Sequence, residues 1–416
     1  MTTTDPVRVV ETVWRMESAR IIAGLTRIVH DVGLAEELAQ DALLAALRRW
    51  PVDGVPENPG GWLALTAKNR AIDLFRRETV YRRKLAEVGR DLERQPEPDL
   101  DAGLDDPVGD DLLRLIFISC HPVLKPEGRA ALTLKLLGGL TTEEIGRAFL
   151  IGEPTAAQRI VRAKRTLADK NIPYEVPSAA DLPVRLRSVL GVIYLIFNEG
   201  YSATAGDDWI RPDLCREALR LGRLLAELMP GEPEVHGLAA LMELHSSRAP
   251  ARTGPDGTPI LLLDQDRRRW DRLLIRRGLA ALERSVAAGP PGPYTLQAAV
   301  AACHAQAHDP ADTDWPRIAG FYALLARHTP SPVVELNRAV AVGMADGPAA
   351  GLALLDPLAD ALAGYPQFPA ARGDLLSRLG RHAEAGVEFT RAAELTRNDR
   401  ERTLFHARAA ENALET

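Results

Sequence analysis

The residues best suited to chemistry in this chain are arginines at helical spacing, and the chemistry they suit is recognition of phosphates and bases. In "GEPTAAQRIVRAKRTLAD", Gly152 to Asp169, a turn of roughly 100° per residue gathers Thr155, Gln158, Arg159, Arg162, Arg165 and Thr166 on one arc. Ala156, Ile160, Ala163 and Leu167 form a separate apolar stripe. A second arc lies in "PENPGGWLALTAKNRAIDLFRRE", Pro56 to Glu78. There Trp62, Thr66, Asn69, Arg70, Asp73, Arg76 and Arg77 share one side, with Lys68 on the flank. Leu63, Ala64, Leu65, Ala67, Ala71, Ile72, Leu74 and Phe75 form the expected core side. A ring beside guanidinium groups suits unstacked bases, because rings stack and arginine holds phosphate.

Catalytic patterns are missing by comparison. The histidines are scattered, and neither a P-loop nor a nucleophile elbow is present. Cys120, Cys215 and Cys303 have no paired spacing, which gives no zinc site and fits inert buried thiols in a reducing compartment. No enzyme activity, metal or cofactor is expected.

The elements that must position these arcs are helices. "GLTTEEIGRAFLIGEP" just ahead of the Gly152–Asp169 segment reads as a helix capped by a Thr141/Glu144 capping box, with Ile145, Ala148 and Phe149 inward. A tight turn follows, with Gly152 as N-cap and Pro154 in the first turn of the next helix. This is a helix-turn-helix, whose exposed stripe has the width that enters a major groove. Upstream, "LAEELAQDALLAALRR" turns Ala35, Leu38, Ala39, Ala42, Leu43 and Ala46 inward. Glu37, Gln40, Asp41, Leu44 and Arg48 face outward, an apolar residue among charges that a partner would cover.

With 416 residues, 46% hydrophobic and 5% aromatic, the chain is long enough for several domains and reads as all-α. The formal net charge of -6 confines nucleic-acid contact to local faces. The longest apolar run, Val189 to Phe197, is too short to span a bilayer, and no signal peptide pattern opens the chain, so a cytoplasmic protein without membrane contact is expected. The domains read as a helical domain over 9–80, an acidic linker over 81–111, a helix-turn-helix domain over 112–175 and irregular helical repeats over 181–416. Within the last, Gly380, Ala385, Phe389 and Ala392 follow a tetratricopeptide-like pattern. "PILLL", at Pro259 to Leu263, reads as a short hairpin or packed loop.

Taken in order, these segments resemble the extracytoplasmic-function type of bacterial RNA polymerase sigma factor. "LAEELAQDALLAALRRW" is similar to the family's polymerase-docking segment, "PGGWLALTAKNRAIDLFRRE" to its promoter-melting segment, and "GLTTEEIGRAFLIGEPTAAQRIVRAKRTL" to its region 4. The resemblance implies that Glu37, Gln40, Asp41, Leu44 and Arg48 meet core polymerase at the β′ clamp helices, with the β flap as a further contact. It implies that Trp62, Lys68, Asn69, Arg70, Asp73, Arg76 and Arg77 contact the −10 element and its melted strand, beside a loop over Pro51 to Pro59. Thr155, Gln158, Arg159, Arg162 and Arg165 would read the −35 element in duplex DNA. Pro154, Ala156 and Ala157 depart from the family's usual residues.

The remainder resembles the subgroup with a tetratricopeptide-like C-terminal extension, which implies control by the fused domain and intramolecular contact with the sigma domains. Asn198, Glu199, Tyr201, Asp207, Asp208 and Trp209 are the residues expected at an interdomain or ligand contact. A stand-alone helix-turn-helix regulator with a sensing repeat domain is the alternative reading.

Overall fold

A computed structural model describes residues 6–88, 108–202, 210–255 and 257–415. Among them are eighteen α-helices and no strand, as the all-α reading requires. The chain divides into two compact units, Met1–Ile193 and Tyr194–Thr416.

The first unit holds α1 (Pro6–Val29), α2 (Val32–Asp53), α3 (Pro59–Val88), α4 (Val108–Ser119), α5 (Pro126–Leu136), α6 (Thr142–Ala148), α7 (Glu153–Asp169) and the start of α8 (Leu182–Tyr201). Asp31 begins α2 by accepting the amide of Leu34 at 2.9 Å, one of the donors a helix start leaves without a partner. Helix α1 packs on α2, α3 and α4, while α5 and α6 pack on α7. Buried Ile22, Ala35, Ala39, Trp50, Leu63 and Ala67 fill the first group, and Phe117, Leu132, Leu134, Ile160 and Leu167 the second. The two groups adhere. Arg27 pairs with Asp111 at 3.2 Å, and the hydroxyl of Tyr174 donates to the carbonyls of Ala23 and Asp111 at 3.0 and 2.8 Å. The start of α8 seals the far side of the second group, with Arg185 donating to the Phe117 carbonyl and Ser188 to that of Cys120.

Two boundaries differ from the sequence reading. Helix α3 runs on to Val88 and α4 begins at Val108, so both ends of the 81–111 segment are helical. Asp110 and Asp111 lie in the first turn of α4, where acids complement the helix dipole. Residues 89–107 of that segment lie outside the described residues.

The second unit continues with α9 (Pro212–Leu228), α10 (Pro233–Ser247), α11 (Arg272–Ala288), α12 (Pro293–Gln306), α13 (Trp315–His328), α14 (Pro332–Ala345), α15 (Pro348–Leu355), α16 (Gln367–Arg378), α17 (His382–Leu395) and α18 (Asp399–Leu414). Most pack on their neighbours in sequence, and α12 packs also on α10, as stacked helical pairs do. Small residues permit the close contacts: a Cβ on Gly237 of α10 would lie 2.7 Å from the Thr295 amide nitrogen of α12. Gly380 turns the chain at φ +72°, and Ala385, Phe389 and Ala392 are buried beyond it. The "PILLL" segment is a packed loop with one isolated bridge, Thr253 to Pro259, and a 3-10 turn at Leu262–Asp264.

Candidate nucleic-acid interface

Helix α7 owes its presentation to the turn before it. The capping box forms: the Glu144 amide donates to Thr141 Oγ1 at 3.1 Å, and the Thr141 amide to Glu144 Oε2 at 2.8 Å. Leu150 closes the turn at φ +50°, a left-handed conformation that ordinary side chains adopt only at a cost. Gly146 belongs there because a Cβ would come within 3.0 Å of the Ile151 carbonyl. Gly152 is the N-cap of α7 and Pro154 sits in its first turn. Ala156, Ile160, Ala163 and Leu167 are all buried, so the outward side is set. Thr155, Gln158, Arg162 and Arg165 are exposed and Arg159 is half-buried. Arg165 is held loosely by Asp169 at 3.4 Å, both highly exposed, an ion pair too weak to withhold it from phosphate.

The arc on α3 is assembled differently. Asn69, Asp73, Arg76 and Arg77 are exposed, and Trp62, Lys68 and Arg70 are half-buried. Trp62 meets the buried Trp50 edge to face, with ring centres 5.6 Å apart and planes at 71°. Its ring therefore braces the α2–α3 connection. That connection is shorter than Pro51 to Pro59, because α2 carries Pro51 within it and ends at Asp53, with Gly54 at φ +87°. Asn58 accepts the amide of Gly61 at 2.9 Å and starts α3.

The expected core side of α3 is also too broad. Leu63, Ala67 and Ala71 are fully buried, but Ala64 is exposed, Leu65 is 59% exposed and Leu74 is 36% exposed. Packing against α1 and α2 through this narrow stripe of small residues leaves the flanks in solvent. Leu65 consequently joins the outward arc beside Asn69 and Arg76.

On α2, Glu37, Asp41, Leu44 and Arg48 are exposed, with Leu44 at 49%. Asp41 pairs with Arg70 of α3 at 2.6 Å, linking the two arcs. Gln40 is half-buried and donates to Glu36, a residue the helical wheel did not single out. Glu36 is 4% exposed. Its carboxylate receives Lys164 of α7 and lies 3.6 Å from Lys135 of α5. Three donors, the Gln40 amide from the same helix and two lysines from distant segments, thus satisfy one buried charge.

Residues 14–80 match the family model for Sigma-70 region 2, and residues 114–167 that for Sigma-70, region 4. The chain belongs to the sigma-70 family. Region 2 comprises α1 to α3 and region 4 contains α4 to α7. A probable ECF RNA polymerase sigma factor, SigI of Mycobacterium tuberculosis, is 26% identical over 179 residues, 42% of this chain and 59% of that protein. The uncharacterized protein R00370 of Rhizobium meliloti is 45% identical over 382 residues, 91% of this chain and 89% of that protein. The two share a family along most of their length. Residues 185–286 match a family of unknown function, DUF6596. No solved structure matches the chain.

Of the residues singled out in the second unit, Asn198 is exposed, Glu199 pairs with Arg211, and Tyr201 is half-buried against Arg252. Asp207, Asp208 and Trp209 lie outside the described residues. Burial raises the thiol of Cys120 above its ordinary range and pushes that of Cys215 up to about 12. Both are poor nucleophiles in that state. Among the described residues no cluster could hold a metal ion, and no helix is long and apolar enough to cross a membrane.

Proposed function

We propose that the chain acts as an extracytoplasmic-function sigma factor in the cytoplasm, bringing core RNA polymerase to promoters and helping open the −10 region. The observation that carries this reading is the order of outward faces. An acidic and apolar face on α2 is followed by a basic face on α3, and then by an open reading face on α7. A stand-alone regulator needs the last of these and has no use for the first two. In this reading α2 docks on the β′ clamp helices through Glu37, Gln40, Asp41, Leu44 and Arg48, and region 4 meets the β flap. Arg159 and Arg162 contact the −35 duplex with Thr155, Gln158 and Arg165. Lys68, Asn69, Arg70, Asp73, Arg76 and Arg77 engage the −10 element, with Trp62 bracing the adjoining connection. The protein positions bases and performs no chemistry of its own.

The test is run-off transcription with purified core polymerase. Changing Arg159 and Arg162 to Ala is expected to abolish initiation at a −35-dependent promoter while leaving co-elution with core intact. Tight duplex binding by a wild-type chain that never co-elutes with core would instead support the stand-alone regulator.

The second unit is the regulatory part of this reading, a tetratricopeptide-like extension that controls region 2 and region 4. Its support is the stacking of α9 to α18 on near neighbours in sequence, the packing of helical repeats that serve as partner-binding scaffolds. Truncation after Ser202 keeps the α8 contacts of Arg185 and Ser188. The truncated chain is expected to change promoter output relative to the full chain, and equal output would refute the regulatory role.

A further inference from the structure

Cations and rings alternate through the core of the second unit. The Arg252 guanidinium lies 3.5 Å over the Tyr201 ring, and Arg248 stands 5.9 Å from that ring and 5.7 Å from Trp270. Arg267 follows, 5.1 Å from Trp270. Two of the three guanidiniums are engaged by acceptors. Arg267 donates to the carbonyls of His304 and Ala307 and to Thr313, and Arg252 donates to the carbonyl of Tyr201.

Arg248 differs. No acceptor or carboxylate among the described residues meets its side chain, and its Nε is buried without a partner. Two more unpartnered polar atoms, Tyr201 Oη and His245 Nδ1, are buried beside it. The His245 and Tyr201 rings stand edge to face at 4.9 Å. His245 also precedes Arg248, the C-cap of α10, by three positions, which puts both on one side of the helix end. Buried polar groups in native proteins are usually satisfied, and these three atoms meet no partner among the described residues.

We propose that Arg248, Tyr201 and His245 form a binding site for a small anion bearing a phosphate or carboxylate group. The chemistry selects that class. A guanidinium fork pairs with both groups bidentately, and the hydroxyl and imidazole supply further donors to the same oxyanion. Trp270 and Tyr201 hold the guanidinium plane by cation–π contact. Arg248 sits at the C-cap of α10, where a cation complements the helix dipole, and its donors are left for the ligand. Burial, with Arg248, Arg252 and His304 adding like charge, depresses His245 well below its ordinary range. A bound anion reverses that field.

The test is isothermal titration calorimetry of the full chain with inorganic phosphate, pyrophosphate and citrate. At least one is expected to bind saturably at one site. Arg248→Gln should weaken it ten-fold or more and Tyr201→Phe several-fold. Tighter pyrophosphate than citrate would assign a phosphoryl ligand, and the reverse a carboxylic acid. The His245 ring resonances of the wild-type chain should move on saturation, a readout that requires no variant to fold. Absence of saturable binding, insensitivity to both substitutions, or unmoved His245 resonances would overturn the site. None of these outcomes depends on the sigma reading, which is tested separately by core binding.

Discussion

Replacing Glu36 with Ala should loosen region 2 from region 4. The carboxylate is 4% exposed and is shared by Lys164, Lys135 and the Gln40 amide. Its removal strands two ammonium groups whose side chains are only 19% and 16% exposed. Removing one partner of a buried ion pair costs about 3–5 kcal/mol. Both lysines retain some solvent and can extend toward it, so about 2–3 kcal/mol is expected here. At about 1.4 kcal/mol per tenfold, opening of this contact becomes roughly 30 to 150 times more frequent. Native-state hydrogen exchange reads this directly. Amides of α7 and the start of α2 should exchange faster by that factor, while those of α12 in the second unit stay unchanged. Replacing Glu36, Lys135 and Lys164 together by Met should restore most of the protection, since apolar groups leave no stranded charge. A change under about threefold in the Ala variant would refute the claim that this carboxylate holds the two regions together.

Three further outcomes follow from local geometry. Thr141→Ala removes one half of the capping box, should cost region 4 about 1 kcal/mol in urea unfolding, and should lower −35 binding through loss of α6. Gly237→Ala forces a Cβ to within 2.7 Å of the Thr295 backbone; a loss of about 1–3 kcal/mol is expected, and a thermal midpoint equal to wild type would contradict the close packing of α10 on α12. His304 is held down at about 4 by burial, then by Arg248 and Arg267. Because its folded pKa lies below the unfolded 6.5, the unfolded chain takes up the proton first. Its stabilising effect is complete above about pH 6.5 and is lost as pH falls toward 4, on the order of 3 kcal/mol. His304→Phe keeps a ring against Trp315 and should flatten part of that slope in urea titrations at successive pH values.

Much of region 4 was legible in the sequence because its signals are short-range. The capping box, the Gly152 N-cap, Pro154 and the four-residue buried stripe of α7 each depend on residues within a turn or two. The apolar side of α3 was less legible. Periodicity marks a side as apolar but not how much of it a neighbour covers, so Ala64, Leu65 and Leu74 were assigned to a core that reaches only Leu63, Ala67 and Ala71. Pro51 suggested a loop, yet it sits inside α2. The loss of its amide donor and the clash of its ring fall where the helix is already ending.

From sequence alone came the all-helical class, the order of the three amphipathic helical segments, and the outward residues of α7. These follow from composition, from 3.6-residue periodicity and from caps that act locally. Only the tertiary structure decided that Trp62 braces Trp50, that Asp41 and Arg70 pair across helices, and that Glu36 gathers lysines from α5 and α7. It also left Arg248 between two rings, with no counter-charge among the described residues. Such pairings join residues far apart in the chain, and side-chain type and local spacing carry no record of which distant partner burial will bring into reach.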